Sequence, residues 1–265
     1  MEMLQLNEAQ LGAWVGGLLW PLFRIASFLM IAPIFGTQLV PTRVRLAMAF
    51  GLAVLIAPLL GPMPEVESLS LNALVITLQQ VLIGSSLGFM VMMLMQLFVV
   101  SGQMIAMQMG LGFASMMDPA NGVSVPVVSQ FFLVGTTLLF LAMNGHLVML
   151  EVLVESFYAW PVSASVFNDG GFSASILWDM VHHISWLFAA AMLIALPVVT
   201  AVLIVNIAFG VMTRAAPQMN IFSLGFPVGL IFGLFIIWAS AQELLPQFLS
   251  LSEETFVFLR ELEGR

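Results

Sequence analysis

Between Leu69 and Met109 the chain runs for 41 residues without one charged side chain. As a single helix rising about 1.5 Å per residue, that stretch is roughly 60 Å long. A bilayer core is about half as thick. Either the helix breaks near Gly84-Ser85-Ser86-Leu87-Gly88, or it extends well beyond the lipid. Nine of the 20 methionines lie between Met90 and Met117. Methionine is unbranched and polarizable, so it suits a surface that repacks around changing shapes. Directly after this run come Gly110, Gly112, Asp118-Pro119 and Asn121-Gly122. These residues favour tight turns and stop a helix. Irregular backbone between two such greasy segments is tolerated only where protein buries it or where it lines water. The loop is therefore expected in, or at the mouth of, a path.

Only 8% of the residues are charged and 61% are hydrophobic. Average soluble domains are roughly 25% charged. The composition is that of a polytopic membrane protein. All six cations are arginine, and the formal charge is −8. Nothing neutralises phosphates, which argues against nucleic acid and against a polybasic lipid-binding patch. With no cysteine, disulfides and thiolate metal sites are excluded. The first ten residues, MEMLQLNEAQ, lack a positive n-region, so the first apolar run is expected to be a retained span.

Six apolar segments emerge, near residues 11–34, 44–60, 69–109, 130–150, 181–211 and 221–241. The predicted fold is all-α, with long broken helices and a central irregular loop. Residues 243–265 alternate charged and apolar side chains, which suggests an amphipathic helix. Arg43, Arg45 and Arg214 lie in two of the connections, whereas the ends and remaining connections are mainly acidic. Arginine-bearing loops tend to face the cytoplasm, which puts both termini outside and the Asp118 loop on the arginine side.

Polar residues inside apolar runs face a bundle interior, a partner or water. Gln79, Gln80, Gln96, Gln103, Gln108, Asn144, His146 and Asn206 are of this kind. Met92, Gln96, Gln103 and Met107 recur at helical spacing, so one face of the third segment mixes Gln with Met. Their default reading is hydrogen bonding between helices. Arg24, flanked by Phe23 and Ile25, is expected to pair with a carboxylate or with carbonyls at a subunit contact. Gly225, Gly229 and Gly233 recur at i, i+4 and i+8, a spacing that lets two helices approach closely. Pro227 in the same run is the competing signal, for a kink.

No chemistry survives inspection. Residues 84–88 match G-x-S-x-G, but they lack the strand–turn–helix setting that motif needs. Small residues at a helix crossing or break are the better reading. Gly110-Leu111-Gly112 lacks the preceding strand and third glycine of a dinucleotide site. Asp179, His182 and His183 share a helix face but no further metal-ligand pattern follows. No catalytic residue, cofactor site or metal site is expected.

Three stretches together resemble a known family. They are PLFRIASFLMIAPIFGTQLVPTRVRLAMAF from Pro21 to Phe50, GLGFASMMDPANGVSVPV from Gly110 to Val127, and LLFLAMNGHLVMLEVLVESF from Leu138 to Phe157. They are similar to the FliR family of flagellar type III export-gate subunits, related to the T subunits of virulence injectisomes. The resemblance covers nearly the whole length. It implies a non-enzymatic subunit in the bacterial inner membrane, within the flagellar basal body. Its partners would be several copies of the flagellar P and Q export subunits, other export-apparatus membrane proteins and the unfolded flagellar proteins that pass. Residues 1–172 would resemble a P subunit and residues 173–265 a Q-like helical hairpin. The family also implies a pore-containing complex raised out of the bilayer, which puts a plain six-span topology in question. Residues 110–122 would be the plug of the closed pore.

On that mapping, Met104, Met107, Met109, Met116 and Met117 are candidates for a compliant seal and Phe113 for an apolar stopper. Asp118-Pro119 and Asn121-Gly122 would fix the turns, with Gly110 and Gly112 at the entry. The rival reading is a secondary transporter or ion channel for small solutes, weakly favoured by the loop and the intramembrane Gln and Asn. Against it stand the scarcity of buried acids and the absence of a visible repeat.

Overall fold

The computed structural model of the chain describes residues 8–61, 64, 70–111, 115–117, 124–162, 172–215 and 221–264. Their elements, in chain order, are α1 Glu8–Ile31, α2 Thr42–Ile56, α3 Leu71–Gln108, β1 Ser115–Met117, β2 Ser124–Pro126, α4 Val127–Ala142, α5 Gly145–Ala159, α6 Ala174–Ala215, α7 Ile221–Ser240 and α8 Leu244–Glu263. Every apolar segment read from the sequence is helical, and the expected amphipathic tail is α8. By length and composition four helical stretches can cross a membrane, or five if the bent pair α4–α5 counts as one. This is an all-α polytopic membrane protein.

Two details differ from the simplest expectation. The long third segment does not break. It is one helix of 38 residues, and its small residues serve a crossing instead. The fourth segment does divide. It ends at Ala142, and Asn144 takes a left-handed conformation (φ 58°, ψ 25°) before α5 begins. Asparagine is one of the few residues that visits this region readily.

The chain forms two compact units. The first comprises Met1–Met92, Asn144–Val181 and Thr255–Arg265. Ile25, Phe28 and Leu29 of α1 are buried with Ile76, Ile83 and Leu87 of α3 and Met149, Val152 and Leu153 of α5. Lipid is as apolar as these side chains, so close approach and polar bonds set the packing between helices. The α3 glycines provide the approach. A methyl group on Gly84 would run into the Arg24 carbonyl and the Ser27 hydroxyl of α1, and one on Gly88 would sit 2.8 Å from the Phe28 carbonyl. The α1–α2 turn is also built tightly. Arg45 donates to the carbonyls of Thr37 at 2.6 Å and Val40 at 2.8 Å, and Ile34 is held at φ 71°.

The second unit comprises Met93–Met143 and His182–Glu254. Leu94, Leu97, Phe98 and Ile105 of α3, Phe132 and Phe140 of α4 and Val198 and Val202 of α6 are buried there. Phe98 meets Phe248 of α8 with ring centroids 5.6 Å apart. Here α3 and α4 touch backbone to backbone. A Cβ on Gly102 would lie 2.6 Å from the Cα of Ser129. That contact fixes the two helices on either side of the central loop.

Candidate functional site

The central loop leaves α3 through a helix terminator. Gly110 has φ +77° and donates its N–H to the Met107 carbonyl at 3.1 Å. A left-handed glycine just past the last helical turn is a standard helix stop. The position is also closed sterically, since a Cβ on Gly110 would lie 2.6 Å from the Phe226 ring of α7. The chain then forms a short ribbon. β1 and β2 pair antiparallel, with Ser115 opposite Pro126, Met116 opposite Val125 and Met117 opposite Ser124. Pro126 caps the start of α4 in an extended conformation. Its missing N–H costs nothing at a helix start. The Met116 and Met117 backbone is thus in a strand. Gly112, Phe113, Asp118, Pro119, Asn121 and Gly122 lie outside the described residues.

The three helical seal candidates separate by environment. Met107 is 68% exposed and Met104 is half-buried. Met92, Gln96 and Gln103 are half-buried too, so the Gln/Met face of α3 is the one its own chain leaves partly open. Met109 turns the other way and is 3% exposed. It fills the notch left by Gly233, where a Cβ would lie 2.7 Å from the Met109 Cγ. Gly225, Gly229 and Gly233 are all buried. Gly229 faces Val202 and Asn206 of α6, its would-be Cβ 3.6 Å from the Asn206 Oδ1.

Arg24 lies within the first unit, fully buried. Its Nε donates to Gln80 Oε1 at 2.7 Å. One terminal nitrogen donates to the Ser156 carbonyl at 2.8 Å and the other to the Trp160 carbonyl at 2.8 Å. The guanidinium also lies over the Phe157 ring, 4.2 Å from its centroid. Of the partners expected for it, carbonyls are the ones found, and they belong to the same chain. The physical reason is local. The Ser156 carbonyl already accepts the Trp160 N–H at 2.9 Å and offers Arg24 its second lone pair, and the C-terminal end of α5 carries the negative pole of its dipole. A planar fork with five donors fits such an end. Sequence inspection missed Ser156 and Trp160 as partners, because nothing local marks a carbonyl as an acceptor.

His183 stacks on Trp186 with centroids 4.5 Å apart. Among the described residues no group of three or more His, Asp or Glu side chains is arranged to hold a metal ion. Arg260 of α8 lies 3.6 Å from both Glu151 and Glu155 of α5. All three side chains are substantially exposed, so each pair contributes about 0–1 kcal/mol. His146, at the start of α5, is half-buried at a helix terminus.

Comparison with known proteins agrees with this architecture. The family model described as bacterial export proteins, family 1, matches residues 15–255. The chain is 35% identical over 260 residues to the flagellar biosynthetic protein FliR of Escherichia coli (strain K12), covering 98% of this chain and 97% of that protein. It is 33% identical to the FliR of Pectobacterium carotovorum subsp. carotovorum over 261 residues, covering 98% and 97%. With the FliR of Aquifex aeolicus (strain VF5) it shares 32% identity over 223 residues, 84% of each chain. An uncharged 38-residue helix followed by a short two-stranded ribbon, within a largely helical membrane chain matched along nearly its whole length, leads to one conclusion: the chain belongs to family 1 of the bacterial export proteins.

Proposed function

We propose that this chain is a non-enzymatic core subunit of the flagellar type III protein-export gate. It would complete a helical pore with several copies of the flagellar P and Q subunits, in the inner membrane at the flagellar basal body. Residues 1–172 would take the P-like place and residues 173–265 the Q-like one. The loop of residues 110–122 would close the channel. Unfolded flagellar proteins would pass when it moves aside, with the energy supplied by other components of the apparatus.

One observation carries this reading. The loop springs from two helices joined backbone to backbone at Gly102 and Ser129. Between those anchors lie the exposed Met107, the left-handed Gly110 and the ribbon. A turn-rich arm on a rigid base is what a movable plug requires. The exposed thioether of Met107 at its root suits a seal that must yield to varied sequences.

Deletion of residues 110–122 tests it. Membrane vesicles holding the assembled complex are expected to leak small ions after the deletion, while the P and Q subunits still co-purify. A deletion complex as tight as the parent rules the plug out. Recovery of the chain by itself, as a stable homo-oligomer that exchanges a small solute, would instead support a transporter or channel.

A further inference from the structure

We propose that the outward face of the α6–α7 hairpin is the surface by which this chain contacts bilayer acyl chains, over a slab bounded by Arg214 and Glu243. This surface is independent of the plug. Its depth follows from the register of the two helices. Residues 216–220 connect α6 to α7, and so short a connection makes the helices antiparallel neighbours. Gly229 packs against Val202 and Asn206, its would-be Cβ 3.6 Å from the Asn206 Oδ1. One step along α7 is therefore matched by one step back along α6. On that register Arg214, near the turn, stands level with Ile221, and Glu243 stands level with Met192. Both charged residues are exposed. Between those levels neither helix carries a charge. The interval is roughly 22 residues on each helix, about 33 Å long, and a hydrocarbon core is about 30 Å thick.

The side chains in the slab suit lipid. Leu193, Ile204, Ile207 and Val211 line one side of α6, and Ile231 and Trp238 one side of α7, each 58–73% exposed. Three hydroxyls turn back onto their own helices. Thr200 donates to the Leu196 carbonyl at 2.7 Å, Thr213 to the Gly210 carbonyl at 3.0 Å and Ser240 to the Ile236 carbonyl at 2.7 Å. A hydroxyl satisfied within its own helix needs no water. The Asn206 amide lies on the side of α6 that meets Gly229. Trp238 sits about 8 Å from the Glu243 end, and tryptophan is enriched where hydrocarbon gives way to water. Past that end the character changes. There α8 exposes Glu253 and Glu254, and α6 exposes His182 and Ser185. Only the first half of the stretch Gly225–Glu263 thus meets lipid, and α8 stands beyond the hydrocarbon.

The chain has no cysteine, so single thiols report on it cleanly. Ile204→Cys and Ile231→Cys place a probe at matched depth in mid-slab, and Glu254→Cys places one beyond it. Each is labelled with bimane in the assembled complex and reconstituted into phosphatidylcholine vesicles, with or without a nitroxide on the lipid acyl chain. The nitroxide is expected to quench the 204 and 231 probes severalfold more than the 254 probe, and aqueous iodide to quench in the reverse order. Quenching of a mid-slab probe by iodide would mean that the face borders water. Quenching by neither agent would mean that a partner subunit covers it. Either result, at either position, overturns the proposal. If one mid-slab variant fails to assemble, the other decides, and Ile207→Cys, about one turn nearer Arg214, replaces them if both fail.

Discussion

Replacing Arg24 by alanine is expected to cost the protein a large share of its stability in the membrane. The side chain is fully buried and satisfies Gln80 Oε1 and the Ser156 and Trp160 carbonyls at once. Truncation removes the Arg24 donors from Gln80 Oε1 and the Trp160 carbonyl and leaves the Ser156 carbonyl with the Trp160 N–H alone. Each buried orphan costs about 1–3 kcal/mol, so two of them put the loss at about 2–6 kcal/mol. Whole domains are stable by only about 5–15 kcal/mol. Arg24→Lys should be intermediate, since it keeps the charge but loses the fork that reaches two carbonyls and an amide together. The amount of intact chain in the membrane and the melting temperature of the purified complex measure both variants. An alanine variant that accumulates and melts like the parent would mean that the guanidinium reaches water, contrary to its burial.

Gly84→Leu should be as damaging by a different route. The obstacle at Gly84 is the Arg24 carbonyl and the Ser27 hydroxyl, so α1 itself must move for any side chain to fit. Overpacking a core typically costs about 1–3 kcal/mol. Here the displaced segment also carries Arg24, so the buried network is lost with it. Gly229 provides the internal control. Its nearest neighbour to a new Cβ is 3.6 Å away, which is ordinary contact, and Gly229→Ala should assemble normally. Comparable yields of intact complex from Gly84→Leu and Gly229→Ala would show that the α1–α3 crossing is looser than its geometry.

The contrast between these glycines shows where sequence reading stops. Gly84 and Gly88 are spaced like Gly225, Gly229 and Gly233, and both sets signal close helix approach. Spacing does not say what lies opposite. Carbonyls stand against Gly84 and Gly88, an amide and a valine near Gly229, and a thioether against Gly233. Those neighbours decide whether the position tolerates change. The same limit applies to the methionines. Met104, Met107 and Met109 looked equivalent as seal candidates, yet one faces outward and another fills a notch in α7. Phe226 carried no signal at all, since one more aromatic in a greasy helix is unremarkable.

The amino-acid order by itself determined that the chain is helical and membrane-borne, roughly where its apolar segments lie, and that the backbone must turn after Met109. Those properties follow from local chemistry: hydrophobic length, the absence of charge, and residues that cannot continue a helix. Only the tertiary structure decided that α3 stays whole, that Arg24 caps α5, and that α7 holds the root of the central loop. Each of these depends on groups far apart in the chain, such as the 132 residues between Arg24 and Ser156. A carbonyl becomes a partner, or an obstacle, only when folding brings it there.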